Sequence, residues 1–455
     1  MAMERLFGTD GVRGVFNAEM DPFMAMRLAF SIATYLPRGS RVLVARDGRA
    51  GSENIYYAVI AGLMAGGVKV YDGGPAPTPS MQLSVRDRGY DAGVMVTASH
   101  NPPEYVGMKF ITSDGVEAPR EVEEEVEKIY YETRFRKVSW KEVQYTVLRD
   151  PLVNEYYISK IVESVDKEKI VSRSFRVVVD PANSVGGLTT PYILERLGAK
   201  VFTINAELRP EPSRPYEPTP ETITDLRAIV KELKADLGVA HDGDADRAMF
   251  VDEEGEAYWG DRDAVLLAKH IYLNRKSKMP KRIVTAVSSS TLVEEMLKPY
   301  GIEVVWTRVG SIVIARELIR LGGGLCGFEE NTGFIYPEHQ YVRDGGMKTA
   351  LILEYLAYEK KSLRELMSEL PKLHVIKTKR PTNPEKTKRV LEELKNVYSS
   401  KRIITVDGVK VIGDDYWFLV RPSGTEPILR IMIEAKTKEK AEEVLKEVLL
   451  VVDKL

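Results

Sequence analysis

The stretch RVLVARDGR, residues 41–49, decides the architecture. An apolar run ends in a charged turn, a helical pattern continues through Met64, and Gly66-Gly67 lead into a short strand, VKVYD. The order recurs in RVVVDPANS (176–184), a helical stretch to Leu197, Gly198 and AKVFTI. It returns in RIVTAVSSS (282–290), LVEEMLKPY, Gly301 and IEVVWT. Each copy reads as a buried strand, a polar turn, a helix of about three turns, a glycine cap and a second strand. Strand–helix–strand units build parallel sheets covered by helices on both faces. Three similar α/β domains in tandem, with mixed and mostly parallel sheets, are therefore predicted. The irregular spacing between copies argues against a solenoid.

From Pro371 the pattern changes. KLHVIKTKRP, the helical NPEKTKRVLEELKNVY, four short strands between Arg402 and Ala435, and a final amphipathic helix describe a C-terminal α+β domain with an antiparallel sheet. The expected domains are 1–150, 151–255, 256–370 and 371–455. The charged helix EAPREVEEEVEKIYYE (117–132) belongs to the tail of the first, and the Pro-rich RPEPSRPYEPTP (209–220) is a crossover within the second.

Composition narrows the function. The 455 residues are 44% hydrophobic and 29% charged, so there is ample apolar surface for folded domains and no disorder bias. A net charge of −2 with intermixed signs offers no basic face for nucleic acid. An anionic ligand must be held by local Arg and Lys. The single cysteine, Cys326, excludes a disulfide framework and fits a reducing cytoplasm. No segment approaches 18 uninterrupted apolar residues, so no membrane partner is expected.

Four loops carry chemistry. Ser99, in TASHNPP (97–103), follows a predicted strand, where open α/β sheets present ligand-binding loops. The competing reading is a Ser-Asn-Pro chain reversal, and His100 alone reads as a packing or hydrogen-bonding residue. In HDGDADR (241–247), Asp242, Asp244 and Asp246 present hard oxygen ligands suited to Mg²⁺. A calcium EF-hand fails because Arg247 stands where its sixth-position glycine is required and strands flank the loop. In CGFEENTGF (326–334), Glu329, Glu330 and Asn331 suit sugar hydroxyls; an exposed turn is the alternative. In RPSGTEP (421–427), Arg421, Ser423 and Thr425, with backbone N–H groups opened by Gly424, suit a phosphate. A structural hairpin is the alternative there. One such loop falls in each predicted domain. Gathered around one cleft, they would bring a nucleophile, Mg²⁺ and a phosphorylated polyol together, and the serine would carry phosphate.

The motifs FGTDGVRG (7–14), TASHNP (97–102), DGDADR (242–247), GFEEN (327–331) and RPSGTEP (421–427) closely resemble the α-D-phosphohexomutase superfamily, in its order and over almost the whole chain. The resemblance implies a four-domain, heart-shaped molecule around a central cleft, with Ser99 phosphorylated in the active enzyme. Asp242, Asp244, Asp246 and a phosphoserine oxygen would bind Mg²⁺. Arg13 and Arg247 would lie near the phosphoryl group, His100 would join the catalytic set, and Lys109 would transfer protons. Glu329 and Asn331 would select the sugar, and Arg421, Ser423, Gly424 and Thr425 would hold the non-reacting phosphate. His339, in PEHQYVRDG, is a candidate acid or base. The implied activity interconverts hexose 6- and 1-phosphates through a hexose 1,6-bisphosphate, which also serves as activator. Glucose and mannose phosphates are the expected substrates; a phosphoglucosamine mutase and a Mg²⁺-dependent phosphatase are the alternatives. Helices of the first domain could supply a homodimer face.

Overall fold

The computed structural model describes residues 5–8, 10–424 and 426–454. The chain divides into two compact units. The first runs up to Gly260 and includes Asn331–Glu365; the second comprises Asp261–Glu330 and the chain from Leu366 on.

The first unit holds two sheets. Strands β1 (Val12–Val15), β2 (Arg41–Arg46), β3 (Lys69–Pro75), β4 (Ala92–Val96), β5 (Tyr105–Thr112) and β6 (Leu148–Arg149) form one in the order β1-β5-β4-β2-β3-β6. Its centre is parallel, β2 lying between β3 and β4, while β5 runs antiparallel to β1 and β4. Strands β7 (Arg176–Asp180), β8 (Lys200–Thr203), β9 (Leu237–His241), β10 (Ala248–Val251) and β11 (Ala257–Tyr258) form the other, in the order β11-β10-β9-β7-β8. There β7 is parallel to both neighbours, and β9, β10 and β11 alternate. Buried Val42, Val44, Val94, Val96, Ile55 and Leu63 anchor the first core, between the sheet and the helices Pro22–Tyr35 and Ser52–Ala65.

In the second unit, β12 (Arg282–Ala286) is parallel to β13 (Glu303–Thr307) and β14 (Cys326–Phe328). The strand β15 (Phe334–Ile335) belongs to the first unit. An antiparallel sheet follows in the order β16-β20-β19-β18-β17, from β16 (His374–Pro381), β17 (Arg402–Ile404), β18 (Val409–Ile412), β19 (Tyr416–Pro422) and β20 (Ile428–Ala435). The helices Pro384–Val397 and Lys438–Lys454 cover it through Val390, Leu394, Val444 and Val448.

The chain is thus α/β, with mixed, mostly parallel sheets followed by an antiparallel C-terminal sheet. The three glycine caps fall where expected: Gly67, Gly198 and Gly301 have φ of +81°, +82° and +66°, a region costly for residues with a Cβ. Two of the crossover helices are shorter than predicted. In the second copy a 3₁₀ turn over Val185–Leu188 precedes a helix of only Thr190–Arg196. Gly186-Gly187 disfavour helix, and Pro191 has no N–H to donate to a preceding turn, so the α-helix starts only at Thr190. In the third copy Pro299 converts the end of Leu292–Leu297 into a 3₁₀ turn. Strand β6, parallel to β3, has no periodicity signal because it is two residues long. Among the described residues no helix is long and apolar enough to cross a membrane.

Candidate active site

Ser99 lies just beyond the C-terminal end of β4, fully buried, with φ of +49°. A non-glycine residue in this region is strained and persists only where its surroundings hold it. Those surroundings are explicit. Buried Arg49 reaches under the loop and donates to the carbonyls of Asn101, Pro102 and Tyr105 at 3.0, 2.9 and 3.2 Å and to that of Ser99. Its Nε is paired with Asp47 at 2.9 Å and its guanidinium stacks 4.2 Å from the Tyr216 ring centroid. Thr97 Oγ1 accepts the Ser99 N–H at 2.9 Å and donates to Asp47 at 2.7 Å.

So held, Ser99 Oγ donates to Asp242 Oδ2 at 2.8 Å. Asp242 begins the turn after β9, and Asp244 and Asp246 follow on the same buried loop, each offering a carboxylate oxygen within 4.8 Å of the others. Lys109, on β5, is buried among acids: its Nζ is 3.1 Å from Asp10 Oδ1, 3.2 Å from Asp244 Oδ2 and 3.5 Å from Asp246 Oδ2. Arg343 donates to Asp246 at 2.6 Å and to Asp10 at 3.1 Å. Arg13 grips the serine loop, donating to Asn101 Oδ1 at 2.7 Å and Ala98 O at 3.2 Å, and pairs with Asp10. Arg247 NH1 donates to Glu217 at 2.7 Å, and its NH2 lies 3.1 Å from His100 Nδ1.

Charge crowding sets the protonation states. Burial, then Asp246 and Asp244, push Asp242 well above the usual carboxylate range. Burial works the same way on Asp244, but Lys109 and the Thr78 hydrogen bond, at 2.6 Å, outweigh it and hold that carboxyl low. For Lys109 burial favours the neutral amine, yet Asp10, Asp244 and Asp246 prevail and hold it as an ammonium. Burial, then Arg247, Arg13 and Arg343, keep His100 a neutral imidazole. Asp244 Oδ1 and Asp246 Oδ1 are buried without a hydrogen-bond partner. Three close carboxylates, two with such oxygens, are a donor set that fits a hard divalent cation.

The two loops touch through a glycine. A Cβ on Gly243 would stand 2.5 Å from Ser99 O and 3.1 Å from Arg49 NH2 and Tyr216 Cδ1. Gly243→Ala is therefore expected to push the serine loop off Asp242 and lower kcat by tenfold or more, roughly what small misplacements of reacting groups cost. Steady-state kinetics beside an unchanged circular-dichroism spectrum would check it; unaltered kcat would show that the loops have room.

Ser99, Lys109, Arg13, Arg247, His100 and the three aspartates thus gather in the first unit. Asn331 is in the same unit; its Oδ1 accepts from Gly333 N at 3.4 Å, and Gly333 bridges the Arg247 backbone. His339 stands elsewhere in it, buried with Nε2 3.5 Å from Asp344 and its ring beside Tyr157, and burial lowers its pKa. Glu329, Arg421, Ser423 and Gly424 belong to the second unit. Glu329 is buried just past β14, and Arg421 Nε is 3.0 Å from Asp407 near the end of β19. Thr425 lies outside the described residues. Sequence reasoning missed Asp10, Asp47, Arg49, Glu217 and Arg343. Asp10 stood in a quoted motif beside its partner Arg13, but its other ion partners, Lys109 and Arg343, come from distant segments.

Comparison with known proteins identifies the family. Four models of phosphoglucomutase/phosphomannomutase match in order: α/β/α domain I over 4–137, domain II over 155–255, domain III over 259–374 and the C-terminal domain over 376–451. The chain belongs to the phosphoglucomutase/phosphomannomutase family. It is an intramolecular phosphotransferase of the α-D-phosphohexomutase superfamily. A phosphoglucosamine/phosphogalactosamine mutase of Sulfurisphaera tokodaii is 48% identical over 99% of this chain and 100% of its own. A phosphoglucomutase/phosphomannomutase of Thermococcus kodakarensis is 41% identical, over 97% of each. The crystal structure of a putative phosphomannomutase from Thermus thermophilus superposes with a TM-score of 0.83 at 27% identity, covering 99% of this chain and all of the other.

Proposed function

We propose that this phosphohexomutase interconverts hexose 6- and 1-phosphates by way of phosphorylated Ser99 and a hexose 1,6-bisphosphate. The observation that carries the reading is the 2.8 Å contact between Ser99 Oγ and the buried aspartate cluster, walled by Lys109, Arg13, Arg247 and Arg343. Asp242, Asp244 and Asp246 would hold Mg²⁺, which offsets negative charge on the transferring phosphoryl group.

The chain's own groups divide the remaining work. The bond from Ser99 Oγ to phosphorus breaks as one forms to a sugar hydroxyl, and transfer back from the other end regenerates phosphoserine. Arg13 and Arg247 would help neutralise the equatorial oxygens. Lys109, an ammonium among three acids at rest, would give its proton to the departing serine oxygen and be reprotonated by the proton that the attacking sugar hydroxyl loses, so that no net proton is gained or lost. His100 Nδ1 faces a guanidinium donor, which keeps the neutral ring oriented beside Ser99 Oγ at 3.4 Å. As the family resemblance implies, Glu329 and Asn331 would read the sugar and the Arg421 loop would hold the non-reacting phosphate.

Glucose and mannose phosphates are the substrates we expect. An amino-sugar phosphate is the second reading. It is favoured by the paired acids Glu329 and Glu330, which suit an ammonium, and by the relative from Sulfurisphaera tokodaii. Side-by-side kcat/KM values for glucose, mannose and glucosamine 1-phosphates, with a trace of bisphosphate, rank the sugars. Stoichiometric release of inorganic phosphate in that assay would instead make the enzyme a phosphatase.

A further inference from the structure

Lys410, on β18, is fully buried in the unit that carries Glu329 and Arg421, and the serine chemistry makes no use of it. Its Nζ donates to Val287 O at 3.0 Å and Ser289 O at 2.5 Å. It also lies 4.1 and 4.0 Å from the ring centroids of Trp306 and Trp417. The two carbonyls belong to the turn after β12, whose serines are all engaged. Ser288 Oγ donates to Glu330 Oε2 at 2.8 Å, and Ser289 Oγ lies 2.7 Å from Thr285 Oγ1. Ser290 Oγ donates to Glu434 Oε1 at 2.5 Å and its N–H to Asp261 at 3.2 Å. Trp417 Nε1 donates to the same Glu434 oxygen at 2.6 Å.

A buried ammonium is expensive, and a hydrophobic residue of similar size is usually the more stable choice. Burial pushes Lys410 down to about 7, while Asp261, Glu434, Glu294 and Glu330 pull it back. Two carbonyl acceptors and two indole faces favour the charged form. What the lysine secures is geometry. The turn it grips contacts Glu330, the residue after Glu329, and β18 lies one strand from β19, which carries Arg421. Two further ties run between neighbouring elements of the same unit. Arg402 on β17 pairs with Glu294 through both nitrogens at 2.6 and 2.8 Å, and Asp407 accepts from Val309 N at 3.2 Å and Arg421 Nε at 3.0 Å.

We propose that Lys410 is a positioning residue for sugar recognition: by gripping the 287–289 turn it fixes the Ser288–Glu330 contact, and so sets the Glu329-Glu330 loop at a constant offset from the Arg421 phosphate anchor. A hexose phosphate holds its phosphate and hydroxyls at set separations, so both grips must be kept in register. The inference rests on the sugar-phosphate reading given above.

The test uses full-length Lys410→Met and Ser288→Ala enzymes. Each is expected to raise KM for glucose 1-phosphate about three- to tenfold, the usual worth of one hydrogen bond, with kcat largely retained. Inhibition by inorganic phosphate, which needs only the anchor, should stay as in the wild type. Wild-type turnover in the same assay tests the underlying reading separately, and calorimetric titration of glucose 1-phosphate reports the grip even without turnover. Ser288→Ala leaves the lysine cage intact, so it decides the matter if Lys410→Met does not fold. Wild-type sugar affinity in the folded variants, or equal weakening of phosphate and sugar phosphate, would overturn the proposal.

Discussion

Replacing Ser99 with alanine is expected to cut mutase turnover by about 10⁴-fold or more, within the range for removal of a covalent nucleophile. The nearby hydroxyl of Thr97 is not free to take its place, because Oγ1 is committed to Asp47 and the Ser99 N–H. The variant should fold. It removes one oxygen and leaves the main-chain carbonyl that Arg49 grips, so the unfolding temperature should move little. Two measurements decide it: kcat for glucose 1-phosphate with bisphosphate supplied, and the mass of the tryptic peptide bearing residue 99, which should lose its phosphorylated form. Full activity in the variant would refute the phosphoserine assignment.

Chelation should have an effect of comparable size, and a reversible one. Asp242, Asp244 and Asp246 are buried and crowded, and Asp244 Oδ1 and Asp246 Oδ1 have no hydrogen-bond partner. A cation that compensates three carboxylates should bind the folded state only, so adding Mg²⁺ to metal-free protein should raise the unfolding temperature in proportion to saturation. Exhaustive EDTA is expected to lower kcat at least 10²-fold, with recovery on adding Mg²⁺, and Asp244→Asn should lose both responses. Asn keeps an acceptor for Thr78 but removes a charge, on the order of 10²- to 10³-fold in rate where charge develops in the transition state. Undiminished activity after EDTA, with no thermal response to Mg²⁺, would remove the aspartate loop from the chemistry.

The strand–helix–strand repeats, the glycine caps, the antiparallel C-terminal sheet and the acidic loop were legible in the sequence. Each is written in neighbouring residues: apolar runs that must be buried, glycines placed where φ is positive, and three aspartates on one turn. Ser99 was legible as a residue beyond a strand end, but not its strained backbone or the carboxylate it meets 143 positions away. Arg343 and Asp10 are 333 positions apart, and neither segment signals the other. The Lys109 cage likewise needed the first-sheet strands and the aspartate loop in place before its charge state could be assigned. Local propensity and periodicity depend on near neighbours, so the longer strands and helices were legible from sequence alone, while two-residue β6 and the shortened crossover helices were not. Ion pairing, desolvation and the close approach of Gly243 to the Ser99 carbonyl depend on which surfaces the folded chain presses together, and only tertiary structure decided those.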